Sequence, residues 1–89
     1  MQTIYDEDGH ELGQVPLTAR QQAALDAGGS IAVLWHTPQL MQAELGTRSG
    51  SFQLHKEGDR LVTGTPAAVK EYAALRAAVE AVKAREENL

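Results

Sequence analysis

The sequence contains no cysteine among its 89 residues. A disulfide framework and a zinc site built from thiolates are therefore excluded, and a chain without cysteine suits the cytoplasm. Basic residues are also scarce, because eight Lys and Arg stand against twelve Asp and Glu and the net charge is −4. Affinity for nucleic acid comes mainly from cationic side chains, so this balance argues against general binding to DNA or RNA.

Long hydrophobic runs are lacking as well. No segment approaches the roughly 20 apolar residues of a transmembrane helix, and the start of the chain, MQTIYDEDG, has neither the basic nor the apolar region of a signal peptide. We therefore expect a cytoplasmic protein without a membrane span. Aromatic residues make up only 4% of the chain, but the larger aliphatic residues suffice for one small core, which predicts a single domain over residues 1–89.

The first segment, TIYDEDGHELGQV, predicts a β-hairpin. Asp8-Gly9 is a favoured dipeptide for a two-residue type I′ turn. With that turn, Tyr5 would lie opposite Leu12, and Asp6 would lie opposite Glu11. The acidic tip does not fit the calcium loop of an EF-hand, because its glycine falls at the wrong position.

A short helix is predicted over residues 19–27. Thr18 and Gln21 have the spacing of a capping box, and Gly28 is placed to end the helix in the left-handed conformation. The following segment, SIAVLW at residues 30–35, is apolar and rich in β-branched residues. This composition predicts a buried strand.

Residues 38–45 allow two interpretations. Thr37-Pro38 offers an N-cap followed by a proline at the first helical position, and Gly46 is suited to end a helix. Apolar residues such as Met41 and Leu45 also alternate with others as they would in a strand. The signals at the two ends, Thr37-Pro38 and Gly46, favour a helix over a strand.

The segment SFQLHKEGDRLVTG predicts a second hairpin, in which residues 57–59 turn the chain. Thr65-Pro66 then starts a helix that we expect to run to about residue 87. Together these elements predict an α+β fold. It consists of a small, mostly antiparallel sheet, formed by the N-terminal hairpin, a central strand and the second hairpin, with two short helices and one long C-terminal helix.

The long helix carries an apolar stripe that starts at Ala68 and has the spacing of coiled-coil a and d positions. The more common role of such a stripe is to pack across the sheet of its own chain. The length of the helix, compared with so small a domain, supports a second role for its far half, which is to pair with another copy or another protein. The candidate interface residues are Tyr72, Leu75, Val79 and Val82.

Motifs for catalysis and for metal binding are weak. His10, His36 and His55 lack the i,i+4 spacing of metal ligands on a helix. The sequence has no nucleophile elbow, no glycine-rich phosphate loop and no paired-carboxylate motif. We therefore predict that the protein is not an enzyme and has no cofactor and no metal site.

Two segments resemble a known DNA-binding family. LTARQQ at residues 17–22 is similar to the start of the first helix in the N-terminal winged-helix domain of LexA repressors, and TPQLMQAELGTRS at residues 37–49 is similar to the second helix and its turn. The resemblance implies a recognition helix that begins near Ser49 and a wing formed by KEGDRLVTG. It would place Arg48, Ser49, Ser51 and Lys56 near DNA.

Protein binding is the function that the sequence supports best. We expect a small acidic interaction module that acts in a regulatory, accessory or inhibitory role, as short acidic proteins of mobile elements often do. It could form a homodimer through the C-terminal helix. A winged-helix DNA-binding regulator is the alternative, although the charge disfavours a nucleic-acid partner. The sequence does not identify the protein partner, and either the acidic hairpin tip or the long helix could be the contact surface.

Overall fold

The computed structural model describes residues 1–88, and its core lies on one face of a five-stranded sheet. The strands are β1 Gln2–Tyr5, β2 Glu11–Val15, β3 Ile31–His36, β4 Ser49–Glu57 and β5 Arg60–Val62. They lie side by side in the order β2–β1–β5–β4–β3. The helices are α1 Ala19–Asp26, α2 Gln42–Leu45, which follows a 3₁₀ turn at Gln39–Met41, and α3 Pro66–Glu87.

The predicted α+β class is confirmed, and the sheet is mixed. The pairs β1–β2, β3–β4 and β4–β5 are antiparallel, whereas β1 runs parallel to β5 with Ile4 beside Leu61. The backbone N–H of Thr63 extends this parallel pairing by donating to the carbonyl oxygen of Tyr5 at 3.0 Å. This contact joins the N-terminal hairpin to the strands that follow α1, so all five strands belong to one sheet.

The N-terminal hairpin forms, but the predicted pairing at its tip is wrong. Tyr5 pairs with Glu11 rather than with Leu12, and the register shifts between Ile4 and Tyr5. Asp6 is consequently not opposite Glu11, where the two-residue turn would place it, and the two carboxylates do not face each other across the hairpin.

A side chain in the loop explains this change of register. The carboxylate of Asp6 accepts hydrogen bonds from the backbone N–H groups of Asp8 and His10, at 2.9 and 2.8 Å. Gly9 has a φ of 88° and its N–H donates to the carbonyl oxygen of Asp6. An aspartate that binds the backbone of its own loop stabilises a longer turn than the two-residue one.

Helix α1 begins at Ala19 as predicted and ends at Asp26, one residue before the predicted end. Thr18 Oγ1 accepts from the N–H of Gln21 at 3.1 Å, and Gln21 Oε1 accepts from the N–H of Thr18 at 2.9 Å, which completes the capping box. Gly28 follows the helix with a φ of 89°. An ion pair of 2.7 Å between Asp26 and Lys56 then connects the end of α1 to β4.

Residues 39–45 are helical, as the end signals indicated, but Thr37 is not their N-cap. Thr37 is fully buried, and its Oγ1 accepts a hydrogen bond from the N–H of Arg48 at 3.0 Å. Its own N–H donates to the carbonyl oxygen of Arg48 at 2.8 Å. Thr37 therefore extends the pairing between β3 and β4, and this use of the side chain competes with capping.

β4 begins at Ser49, two residues before the predicted start of the hairpin and at the point where the winged-helix resemblance required a recognition helix. The winged-helix fold implied by that resemblance is therefore wrong. Gly50 lies opposite Trp35 in the pairing of β4 with β3. A Cβ atom at Gly50 would lie 2.6 Å from an indole carbon of Trp35, so only glycine lets the indole lie across the strand.

Helix α3 packs across the sheet through an aromatic contact and small residues. The ring of Tyr72 stacks on that of Trp35 with centroids 5.8 Å apart, and it lies 5.7 Å from the ring of Phe52 in a tilted arrangement. Near the opposite edge of the sheet, on β2, a Cβ atom at Gly13 would lie 3.3 Å from the Cβ of Ala73. The helix therefore approaches both halves of the sheet closely.

Replacing Gly50 by valine should destabilise the protein by about 1–3 kcal/mol, because the new side chain overlaps the indole of Trp35. Urea unfolding followed by circular dichroism measures this loss. Ser51→Val is the matched control, since Ser51 is the exposed next residue of the same strand. Equal stability of the two variants would contradict the close contact between Gly50 and Trp35.

Candidate protein-interaction site

A groove with a volume of about 220 Å³ lies between the end of β3 and the middle of α3. Three of the four candidate interface residues, Tyr72, Leu75 and Val79, line it. Val82 does not. The remaining lining consists of one proline and four polar or charged side chains: Pro38, His36, Arg76, Glu80 and Lys83. The groove thus combines an apolar stripe with a polar border.

Both walls of the groove are held in place by the packing already described. On one side, the bonds between Thr37 and Arg48 fix the backbone between His36 and Pro38. On the other side, the stacking of Tyr72 on Trp35 fixes α3 against the sheet. The groove is therefore a feature of the folded sheet and helix rather than of a free loop.

The candidate interface residues differ in exposure. Leu75 and Val82 are buried within the chain, at 3% and 5% exposure, whereas Tyr72 and Val79 are partly exposed. The stripe therefore packs largely against its own chain, and Tyr72 and Val79 are its members at the surface. Pairing of two copies through this stripe stays a prediction.

The charged border of the groove is unevenly paired. Lys83 lies 3.7 Å from Glu80, one turn before it on the same helix. Arg76 forms no ion pair within residues 1–88, and its guanidinium contacts the sulfur atom of Met1 at 3.2 Å. One cation of the border is thus without a carboxylate in the part of the chain that the structure describes.

The acidic hairpin tip brings three potential metal ligands together. The side chains of Asp6, Asp8 and His10 offer atoms within 4.8 Å of one another. However, one oxygen of Asp6 already accepts two backbone hydrogen bonds, and the other lies 3.1 Å from His10 Nδ1. These bonds give the cluster a structural role in the turn.

The three histidines lie apart in the fold. His36 is at the groove and His10 is at the hairpin tip. His55 lies on β4, where its Nε2 is 3.0 Å from a carboxylate oxygen of Glu57. The structure therefore does not unite them in one site.

The residues that the winged-helix resemblance placed near DNA do not share one surface. Arg48, Ser49, Ser51 and Lys56 are all exposed. Alternation along β4 places Lys56 on the face that packs against α1, where it binds Asp26, and Ser51 on the opposite face. No recognition helix carries them, since the segment is a strand.

No protein-family model matches this chain, and the comparisons with curated proteins and with solved structures gave no match. Within residues 1–88, no helix has both the length and the apolar character needed to cross a membrane. The groove is therefore the feature from which we infer a function.

Sequence reasoning missed most of the groove's border. Arg76, Glu80 and Lys83 each lie one or four positions after a stripe residue, so a helical projection would have found them. His36 and Pro38 belong to another element. Only the packing of β3 against α3 brings them to the groove, and no local pattern encodes that packing.

Hydrogen bonding lowers the pKa of the Asp6 carboxyl below its ordinary value, and the backbone N–H of His10 is the largest cause. The ionised carboxylate therefore stabilises the turn at pH values above about 4, and this contribution is lost as the pH falls through the lowered pKa. An NMR titration of the Asp6 side chain should give a midpoint below that of an ordinary aspartate.

Asp6→Asn is the control, because it keeps one acceptor oxygen but does not titrate. The protection of the hairpin amides against hydrogen exchange should change less with pH in the acid range in this variant than in the wild type. A midpoint for Asp6 at or above the ordinary value would contradict the proposed role of its carboxylate in the turn.

Proposed function

We propose that this protein is a small cytoplasmic interaction module that binds another protein through the groove between β3 and α3. The observation that carries the proposal is the presence of three stripe residues, Tyr72, Leu75 and Val79, in one surface groove. A partly exposed aromatic ring beside an arginine is the composition typical of residues that dominate binding energy at protein interfaces.

The size of the groove favours a protein segment over a small metabolite. Pockets for small molecules usually enclose about 300–1,000 Å³, and this groove encloses about 220 Å³. An apolar centre with a polar border is also the usual anatomy of a protein interface. The groove therefore suits one apolar side chain presented by a partner.

The charged side chains at the border of the groove indicate which charge the bound segment of the partner carries. Arg76 has no carboxylate in the described chain, whereas Lys83 is near Glu80. A complementary segment would carry a carboxylate next to its apolar side chain, because a charge at the border speeds association and fixes the orientation. The bound segment is thus apolar at its centre and acidic beside it.

Binding of this kind suits a regulatory, accessory or inhibitory role. The module would occupy a surface of its partner and alter what that partner can bind. Short acidic proteins of mobile elements often act in this way, which is an association with their composition rather than with their fold.

Site-specific cross-linking tests the proposal in cells of the source organism. A photoreactive amino acid at position 79 lies in the groove, and the same amino acid at position 74 is the control on the exposed side of α3. We expect a covalent complex of defined mass from position 79 only. Cross-linking that is equal at both positions would contradict a groove-specific contact.

Purified variants then measure the contribution of the border to binding of the cross-linked partner. Arg76→Glu should weaken affinity by about tenfold or more, which corresponds to ~1.4 kcal/mol, because it reverses the charge that faces the partner's carboxylate. Ala74→Glu introduces a glutamate on the exposed side of the same helix and should leave affinity unchanged. If both variants bind like the wild type, the proposed site is wrong.

A further inference from the structure

One long segment of this acidic chain is free of charged residues. Residues 27–43 contain no Asp, Glu, Lys or Arg, although such residues make up 22% of the sequence. The next longest run of this kind is residues 61–69. The segment includes β3 and the turn after it, and it holds two strongly exposed apolar side chains, Leu34 at 81% and Leu40 at 99%.

Among the described residues, β3 is an edge strand of the sheet, and no strand lies beside its outer backbone groups. The N–H of Thr37 donates to the directly opposite residue Arg48, so residues of the same parity, 31, 33 and 35, face β4. The N–H and C=O groups of Ala32, Leu34 and His36 consequently point away from the sheet. The side chains of these three residues are also exposed, whereas Val33 and Trp35 are buried.

This edge lacks the features that normally prevent two sheets from joining. Proteins protect edge strands with lysine, proline, inward charges or bulges. β3 has none of these from residue 31 to residue 36, and its pairing with β4 runs over six consecutive residues without a shift of register. The opposite edge, β2, carries Glu11 and has a shifted register with β1.

We propose that two copies of this chain associate by antiparallel pairing of their β3 strands, centred on Leu34. In this register Leu34 faces the partner's Leu34, and Ala32 faces the partner's His36. All three outward-facing residues then exchange backbone bonds with the other copy, which gives about six hydrogen bonds across a two-fold axis. The small alanine opposite the larger histidine and the two opposed leucines make the edge complementary to itself.

The self-complementary register points to a second copy as the occupant, and the lack of charged residues at this edge permits it. Each chain has a net charge of −4, so two copies repel each other unless they meet where charge is absent. The charge-free segment lets them meet without opposing carboxylates. His36 belongs to both the edge and the groove, so pairing here would place two grooves beside each other and allow bivalent binding of a partner.

Molar mass measured by light scattering on the purified full-length chain tests this proposal. The wild type should be a dimer at high micromolar concentration. Leu34→Glu should be a monomer, because it places two carboxylates opposite each other. Leu34→Lys should also be a monomer, because it places two ammonium groups opposite each other. An equimolar mixture of these two variants should regain the dimer, since a glutamate then faces a lysine.

Gln14→Glu is the matched control, because it adds the same charge to an exposed position of the opposite edge strand. It should remain a dimer. Circular dichroism verifies that each variant is folded, which the 81% exposure of Leu34 leads us to expect. A monomeric wild type, a dimeric Leu34→Glu variant, or a dimer that dissociates only with Val79→Glu would each overturn pairing through β3. Because no partner is present, these outcomes are independent of whether the groove binds another protein.

Discussion

The packing of Tyr72 against Trp35 and Phe52 is the contact on which the rest of the architecture depends. It connects α3 to β3 and β4, with ring centroids 5.8 and 5.7 Å apart, and such pairs add about 0.5–1.5 kcal/mol beyond the burial of their surface. The indole N–H of Trp35 is buried without a hydrogen-bond partner among residues 1–88, and a buried donor of this kind costs about 1–3 kcal/mol. Packing therefore has to outweigh a lost hydrogen bond, and Gly50 makes this possible by leaving room for the ring.

The same aromatic contact shapes the groove that we propose as the binding site. Because Tyr72 belongs to both the core and the groove, the shape of the proposed site depends on how α3 is seated on the sheet. β3 is the last strand of the sheet, and its final residue, His36, also lines the groove. The proposed groove and the proposed edge contact thus lie next to each other and share His36.

Local chemistry made much of this fold predictable. The capping box of Thr18 and Gln21, the two hairpins and the start of α3 at Pro66 all depend on neighbouring residues, and each was recognisable in the sequence. Contacts between distant residues were not. The parallel pairing of β1 with β5 and the burial of Thr37 against Arg48 bring together segments that no periodicity relates. For the site, helical spacing identified Tyr72, Leu75 and Val79, while the contribution of β3 required the tertiary structure.

A double-mutant cycle tests most directly whether the ring contact anchors α3. Trp35→Leu, Tyr72→Leu and the double variant keep apolar side chains at both positions, and urea unfolding gives the free energy of unfolding of each. We expect a stabilising coupling of about 0.5–1.5 kcal/mol between the two rings. If the losses in the free energy of unfolding of the two single variants add up to the loss in the double variant, Trp35 and Tyr72 are not coupled, and the role of the ring contact as the anchor of α3 is contradicted.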